Sequence, residues 1–447
     1  MHKILSRLVV YRMTDNDSIL NQLAEVCRLF ESGQYNREDL ISRVLLQINR
    51  LLLLSTQYGF DHNLWHNYLA FLLAVTETPF SLVYEKAAKQ KGTVNTLATR
   101  DFLLFKKLFD YDFSKLEEAL GLDCFSMISH YQAVKKDQSR YNAEVGEKIK
   151  ELSEAIGQAQ NEQTIFQIVT GFYRRHGVGL LGLNRAFYIR SNGSVPVLEP
   201  ITNAVDVRLK DLIGYEHQKQ QLIANTEAFI YGGKANNLLL YGDSGTGKST
   251  CVKAILNEYH QEGLRIIEIY KHQLKELPAV ISMIKNRNYR FIIFMDDLSF
   301  EDFETDFLYL KAIIEGGIEV TPDNVLIYAT SNRRHLIRET WADRNESSDI
   351  HYSDTAEEKI SLFNRFGVTI RFDRPNREEY LSIVYGLAAQ YPQIQLTKDE
   401  IAEQALRWAT WHGSFSGRRA RQFINDLLGQ SVLENQSLPG NTEAFSG

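Results

Sequence analysis

The sequence is short of residues that would staple a fold or hold a metal. Only three cysteines occur in 447 residues, Cys27, Cys124 and Cys251. They lie too far apart for a metal-binding spacing, and their number forms no even disulfide framework, which fits a reducing compartment. No long low-complexity tract is present. No apolar run is long enough to span a bilayer. The greasiest segment, Ile41–Leu54, is broken by Arg43 and Arg50, so a buried core helix is expected there. Near the first residue, Lys3, Arg7 and Arg12 are scattered among apolar side chains. No uninterrupted apolar stretch comes after them, so no signal peptide is expected and the chain reads as cytoplasmic, with no membrane partner. Neither charge sign dominates: the net charge is −6 and the isoelectric point about 6.0. A mildly acidic chain has no global pull toward nucleic acid, although a local basic strip could still exist.

What is present suggests two or three domains, taking ~150 residues for each. Residues 1–185 read as a helical domain. Leu20, Leu23, Val26, Cys27 and Phe30 recur at helical spacing. So do Leu103, Leu104 and Leu108, and then Leu116 and Leu120, with few Gly or Pro among them. Tyr58, Phe60, Trp65, Tyr68 and Phe71 make this region aromatic, and a packed core is the expected use. The charged stretch Asp137–Glu162 reads as a solvated helix face. Ser191-Asn192-Gly193-Ser194 is a turn signal, and Val195–Ile201 contains two prolines. Residues 186–205 are therefore expected to be a linker with a short β segment.

From residue 206 the pattern changes. Short apolar runs at Asn237–Tyr241, Arg265–Tyr270, Arg290–Met295, Asn324–Thr330 and Val368–Phe372 alternate with helical stretches. That alternation predicts an α/β domain over 206–374, a parallel sheet with helices on both faces. After Arg374-Pro375-Asn376 the chain turns helical again, predicting a small lid over 375–435. The polar tail, 436–447, reads as disordered.

Gly242-Asp243-Ser244-Gly245-Thr246-Gly247-Lys248-Ser249, followed by Thr250, matches G-x-x-x-x-G-K-[ST] in full. Glycines permit backbone conformations that point successive N–H groups inward at phosphate oxygens. Lys248 adds a positive charge, Ser249 offers a hydroxyl to Mg²⁺, and the next helix aims its positive end at the same place. The bland alternative is a glycine-rich strand–helix turn without a ligand. Downstream, Phe291-Ile292-Ile293-Phe294-Met295 ends in Asp296 and Asp297. A buried strand that delivers acids at its carboxyl end suits an α/β nucleotide site. Asp296 would hold Mg²⁺ and Asp297 would orient or deprotonate a water. The alternative is two acids capping the next helix.

These motifs in this order resemble the AAA+ ATPases, with the P-loop NTPase fold. The strings Asp296-Asp297-Leu298-Ser299-Phe300 and Ala329-Thr330-Ser331-Asn332-Arg333-Arg334-His335-Leu336 are similar to an uncharacterised bacterial AAA+ family with a domain of unknown function. The resemblance covers roughly Asp206 to Leu428. It implies that Asn332 is a sensor of the attacking water, its other reading being a helix N-cap. It implies that Arg365, in Ser361-Leu362-Phe363-Asn364-Arg365-Phe366-Gly367, is an arginine finger supplied to a neighbouring subunit. Asn364 departs from the Asp expected beside it. In Ser416-Gly417-Arg418-Arg419-Ala420-Arg421, either Arg421 or Arg418 would reach the γ-phosphate from the lid. Ile213, Gly214 and Tyr215 would line the adenine. Many relatives have Glu where this chain has Asp297, one methylene shorter, which bears on hydrolysis rather than on binding.

The resemblance thus implies an ATPase that binds and hydrolyses Mg-ATP at a site shared within a homo-oligomer. The helical N-terminal domain would recognise an unknown protein client to be remodelled. The alternative is an ATP-dependent oligomeric switch or scaffold with slow hydrolysis. A small-molecule kinase would need an acceptor site and a lid inserted in the core, and neither is read here. Arg333, Arg334 and His335 are basic but have no interleaved aromatics, so a nucleic-acid partner is unsupported. The acidic stretch Asp343–Glu358 reads as an exposed loop whose lone His351 has no metal role.

Overall fold

The computed structural model describes residues 1–12, 15–86, 92–133, 142–191, 195–202, 205–300, 306–315, 322–332 and 363–437. The chain divides into two compact units, 1–185 with 200–204, and 186–199 with 205–447. Among the described residues, no helix is long and apolar enough to cross a membrane.

The first unit is helical, and its helices begin where the sequence offers side-chain caps. Ser18, Asn36, Asn63, Asn142 and Asn161 each accept a hydrogen bond from a backbone N–H in the first turn of the next helix. Such caps satisfy donors that the helix itself cannot. Gly33, Gly59 and Gly121 end three of these helices in the left-handed conformation. The aromatic residues do form a core: Tyr58, Phe60, Trp65 and Tyr68 are buried and Phe71 packs against them. Leu103 is an exception to the expected apolar face. It is exposed, and Phe102 and Phe105 take the buried positions of its helix. The charged stretch is only half solvated, because helix Ala143–Gln158 buries Val145, Ile149, Leu152 and Ile156. Buried Asp101 accepts the backbone N–H groups of Val9, Val10 and Tyr11 at 2.7–3.1 Å, tying down the amino-terminal segment.

The second unit is built on a seven-stranded sheet. Its strands are β1 (Ala186–Ser191), β2 (Pro196–Pro200), β3 (Leu238–Gly242), β4 (Leu264–Glu268), β5 (Arg290–Met295), β6 (Val325–Ser331) and β7 (Val368–Phe372). Their order is β2-β1-β4-β5-β6-β3-β7. From β1 to β7 every pairing is parallel. All seven residues of β6, and five successive residues of β5, are buried. Unbroken burial means both faces of these strands are covered, which explains their lack of polar alternation. The segment 186–205, expected to be a linker with a short β segment, contributes two strands: β1 pairs with β4, setting Ala186 beside Ile266, and β2 lies beyond it. Its prolines are tolerated because β2 is an edge strand.

Helices Arg377–Ala388, Lys398–Trp411 and Gly417–Ser437 form the lid, with Tyr380, Val384, Ala405, Phe423 and Ile424 in its core. The last helix continues through Ser437, past the expected start of the tail at 436; residues 438–447 lie outside the described ones. The fold class is therefore the one expected: a P-loop parallel sheet with a C-terminal helical lid, preceded by a helical region.

Asp101→Ala leaves three N–H groups without their acceptor, that of Tyr11 buried and those of Val9 and Val10 partly so, and should destabilise the first unit by about 1–3 kcal/mol. Asp101→Asn keeps one acceptor oxygen and should cost less. Urea unfolding followed by tryptophan fluorescence checks the order, and equal stability of all three proteins would contradict it.

Candidate nucleotide site

In a parallel sheet all carboxyl ends lie along one edge, and ligands collect there. Here β3 sits between β6 and β7, with Tyr241 beside Ser331 and Gly242 beside Phe372. β5 neighbours β6, with Met295 beside Ala329. The loops that leave these strands therefore meet at one place.

Gly242, Gly245 and Gly247 all have positive φ, at 127°, 79° and 100°. At Gly242 the requirement is also steric, because a Cβ would stand 2.2 Å from the Phe372 carbonyl oxygen. Helix Lys248–Tyr259 starts at Gly247 with no side-chain cap. Its first N–H groups are thus left for an anion. Lys248 is buried, and its Nζ donates to the carbonyls of Gly242 (2.9 Å) and Asp243 (2.7 Å) and to Asn332 Oδ1 (3.1 Å). Burial lowers its pKa from the ordinary lysine value, against the opposing pull of Asp243, Asp297 and Asp296. A phosphate would relieve that cost of desolvation.

The acids are linked to the same network. Asn332 Nδ2 donates to Asp297 Oδ1 at 2.6 Å. Asn332 therefore bridges the lysine and the acid, because β6 lies between β3 and β5. Asp297 has φ +52°, an uncommon conformation for a residue with a side chain. Its N–H donates to Thr330 Oγ1 (2.9 Å), while Thr330 Oγ1 donates to Asp296 Oδ1 (2.6 Å). Ser249 Oγ donates to the same oxygen of Asp296 at 2.5 Å. A hydroxyl and a carboxylate meeting at one point are hard oxygen donors suited to Mg²⁺, which keeps water and phosphate oxygens for its other positions. Among the described residues no group of three or more His, Cys, Asp or Glu could hold a metal ion. A magnesium shared with a nucleotide does not need one.

A cavity of about 630 Å³ opens onto these groups, within the range of small-molecule sites. Ser244 to Thr250, Asp296, Asp297 and Asn332 line its phosphate end. Ile213, Gly214 and Tyr215 also line it. Lys219 fixes this segment by donating to the Leu212 carbonyl at 2.7 Å. From the lid come both Arg418 and Arg421, one helical turn apart on the same face. Both therefore remain candidates for the phosphate contact.

Three expected site residues do not line the cavity. Gly242 shapes the loop without facing it. Asp243 is turned away: its N–H donates to the Phe372 carbonyl, and its carboxylate holds the backbone N–H and guanidinium of Arg374. Arg365 is half-buried just ahead of β7. Val368, three residues on, pairs with Leu238, four residues before Gly242, while the Phe363 ring packs 5.3 Å from that of Tyr241. Residues 333–335, 343–358, 361 and 362 lie outside the described ones.

Several lining residues go beyond those expected from the sequence. Thr330 is inconspicuous there because a threonine in a strand is ordinary; its signal is its place two residues before Asn332, on the same face of β6. Ile383 and Leu387 of the lid add an apolar wall that local sequence does not announce. Cys251 also lines the cavity, and burial pushes its thiol pKa up to about 12, which marks it as an inert packing group.

A family model described as a protein of unknown function, DUF815, matches residues 183–431. No curated protein matches the sequence. Among solved structures, three variants of RuvB from Thermotoga maritima are similar at 17%, 16% and 18% identity, each with a TM-score of 0.36. The similarity covers 51% of this chain and 66%, 66% and 68% of the RuvB chains.

Thr330→Val keeps the shape but leaves the Asp297 N–H without its acceptor and removes one of the two hydroxyls that donate to Asp296 Oδ1. It should cost about 1–3 kcal/mol, and Thr330→Ser should restore most of the loss. Chemical denaturation of both variants measures this. A valine variant as stable as the parent would show that the hydroxyl does not hold the two acids.

Proposed function

The chain belongs to the DUF815 family, and we propose that it is an AAA+ ATPase, binding and hydrolysing Mg-ATP. The observation that carries this reading is the continuous chain of bonds from Lys248 through Asn332 to Asp297, at the mouth of a phosphate loop. Loop N–H groups and Lys248 hold the β- and γ-phosphates. Ser249 and Asp296 would hold Mg²⁺, which would supply charge neutralisation at the phosphates. Asp297 orients a water and draws its proton, and Asn332 fixes the direction of that carboxylate. The water oxygen bonds to the γ-phosphorus as the bond to the β–γ bridging oxygen breaks, releasing ADP and phosphate. Arg418 and Arg421 approach the phosphates from the lid. The base lies against Ile213, Ile383 and Leu387.

Arg365 does not line the cavity at its own phosphate loop. We therefore assign it to the site of a second copy, which makes the working unit a homo-oligomer. Charge-neutralising arginines of this kind are worth ~10³–10⁵ in rate. The helical unit is assigned to recognition of a protein client, and the chain to the cytoplasm. A slow, switch-like ATPase is the second reading. It is favoured by the short Asp297 side chain and by its bond to Asn332, which ties up one of its oxygens.

Steady-state ATP hydrolysis against protein concentration tests the shared site. Specific activity should rise with concentration. Lys248→Ala and Arg365→Ala should each lose at least about a thousandfold, and mixing the two variants should restore part of the activity. Activity independent of concentration and of Arg365 would remove the shared site. Tight ATP binding and assembly without turnover would select the switch.

A further inference from the structure

The hinge between sheet and lid comprises the last two residues of β7, Arg371 and Phe372, with Asp373 and Arg374, and each is held by a group from the nucleotide site or the helix beside it. Gln218 Nε2 donates to the Arg371 carbonyl at 3.1 Å. The Asp243 N–H donates to the Phe372 carbonyl at 3.0 Å. Tyr215 OH donates to the Asp373 carbonyl at 2.8 Å. The Arg374 N–H donates to Asp243 Oδ2 at 3.1 Å, and its Nε lies 3.0 Å from Asp243 Oδ1. One carboxylate thus grips both the backbone and the side chain of a single residue. Asn376 then caps the first lid helix, which carries Ile383 and Leu387 to the cavity.

The same loop touches the other end of the lid. The Arg418 N–H donates to the Gly245 carbonyl at 3.0 Å. Asp243 and Gly245, two residues apart, therefore hold the lid's entry and the helix bearing its two arginines. We propose that Asp243, although the second residue of the phosphate loop, is a positioning residue that acts through Arg374 to set the lid, not a phosphate ligand. The proposal rests on the nucleotide reading above. It concerns how occupancy of the loop reaches the lid: a phosphate that draws the loop inward moves the carbonyls and carboxylate that hold both lid anchors.

Both partners are well exposed, the Arg374 side chain at 60% and that of Asp243 at 37%. Pairs of this kind contribute little to overall stability. Their loss should therefore show in alignment rather than in melting temperature. The test uses the full chain and its Asp243→Asn, Arg374→Gln and double variants. Mg-ADP affinity is measured by calorimetry, hydrogen exchange over 371–388 with and without Mg-ADP, and kcat and KM by ATP hydrolysis.

Parent protein should bind Mg-ADP and gain protection across the hinge. Asp243→Asn and Arg374→Gln should keep affinity within about threefold, lose that protection, and lower kcat ~10-fold with little change in KM. The double variant should be no worse than either single one, since both break one contact. Arg374→Gln lies outside the loop, so it decides the matter if Asp243→Asn misfolds. The inference is overturned if both single variants keep the parent's protection and kcat, or if Asp243→Asn weakens Mg-ADP by more than ~30-fold while Arg374→Gln does not. Failure of the parent to bind Mg-ADP at all would overturn the nucleotide reading and this inference together.

Discussion

Where β3 ends, its backbone runs against the end of β7 with no room for a side chain. Gly242 meets the Phe372 carbonyl so closely that only a hydrogen fits on its α-carbon. The next N–H, that of Asp243, bonds to the same carbonyl. The rest of the site depends on this contact. It turns the phosphate loop out of the sheet at a fixed angle, and it secures the last strand at the point where the chain leaves for the lid. Loop and lid thus share one origin, and neither can shift without the other. The glycine does more here than permit a positive φ; it allows two backbones to touch.

From that origin the site is organised by strand order. Because β6 separates β3 from β5, its end projects between the lysine and the acids, and Asn332 and Thr330 are the two residues it offers. Asn332 faces Lys248 and Asp297. Thr330 faces Asp296 and the Asp297 backbone. Lysine, amide, acid, hydroxyl and second acid form one hydrogen-bonded line that ends at Ser249. Burial makes the lysine's charge costly, and the line of acceptors offsets part of that cost. A phosphate entering the loop would find donors already aimed at it, which is the preorganisation that phosphoryl transfer requires.

The phosphate loop and the two acids are legible in the sequence because their chemistry is local: spacing alone brings glycines, lysine and hydroxyl together. Strands β3 to β6 are legible because they lie inside the sheet and their burial leaves apolar runs, whereas β7, at the sheet edge, keeps an alternating pattern. Spacing does not reveal direction. Asp243 belongs to the loop by position, yet its carboxylate faces the hinge. The sequence of 186–205 suggests a linker with a short β segment, and its turn residues and two prolines do not reveal that β1 joins the central sheet beside β4. Ile383 and Leu387 become cavity walls only once the lid is in place, a tertiary fact with no local signature. The spacing of Leu103 points to the core, while two phenylalanines beside it fill the interior instead.

Asp297 shows how far geometry can offset a short side chain. Aspartate reaches one methylene less far than glutamate, which would hold its carboxylate back toward the strand. The backbone at this residue is left-handed, and two bonds sustain that conformation: its own N–H on Thr330 and the Leu298 N–H on the Thr330 carbonyl, at 2.7 Å. A strained residue held by its surroundings, at the point where a reaction would occur, indicates that its direction matters. The turn aims the carboxylate at Asn332 instead of leaving it free in the cavity. Fast hydrolysis would then require Asn332 to release one oxygen toward water when the phosphates engage Lys248, and a slow switch would be one in which it does not. Both behaviours would depend on the same amide, because Asn332 bonds both Lys248 and Asp297, the groups proposed to bind the phosphate and to activate the water.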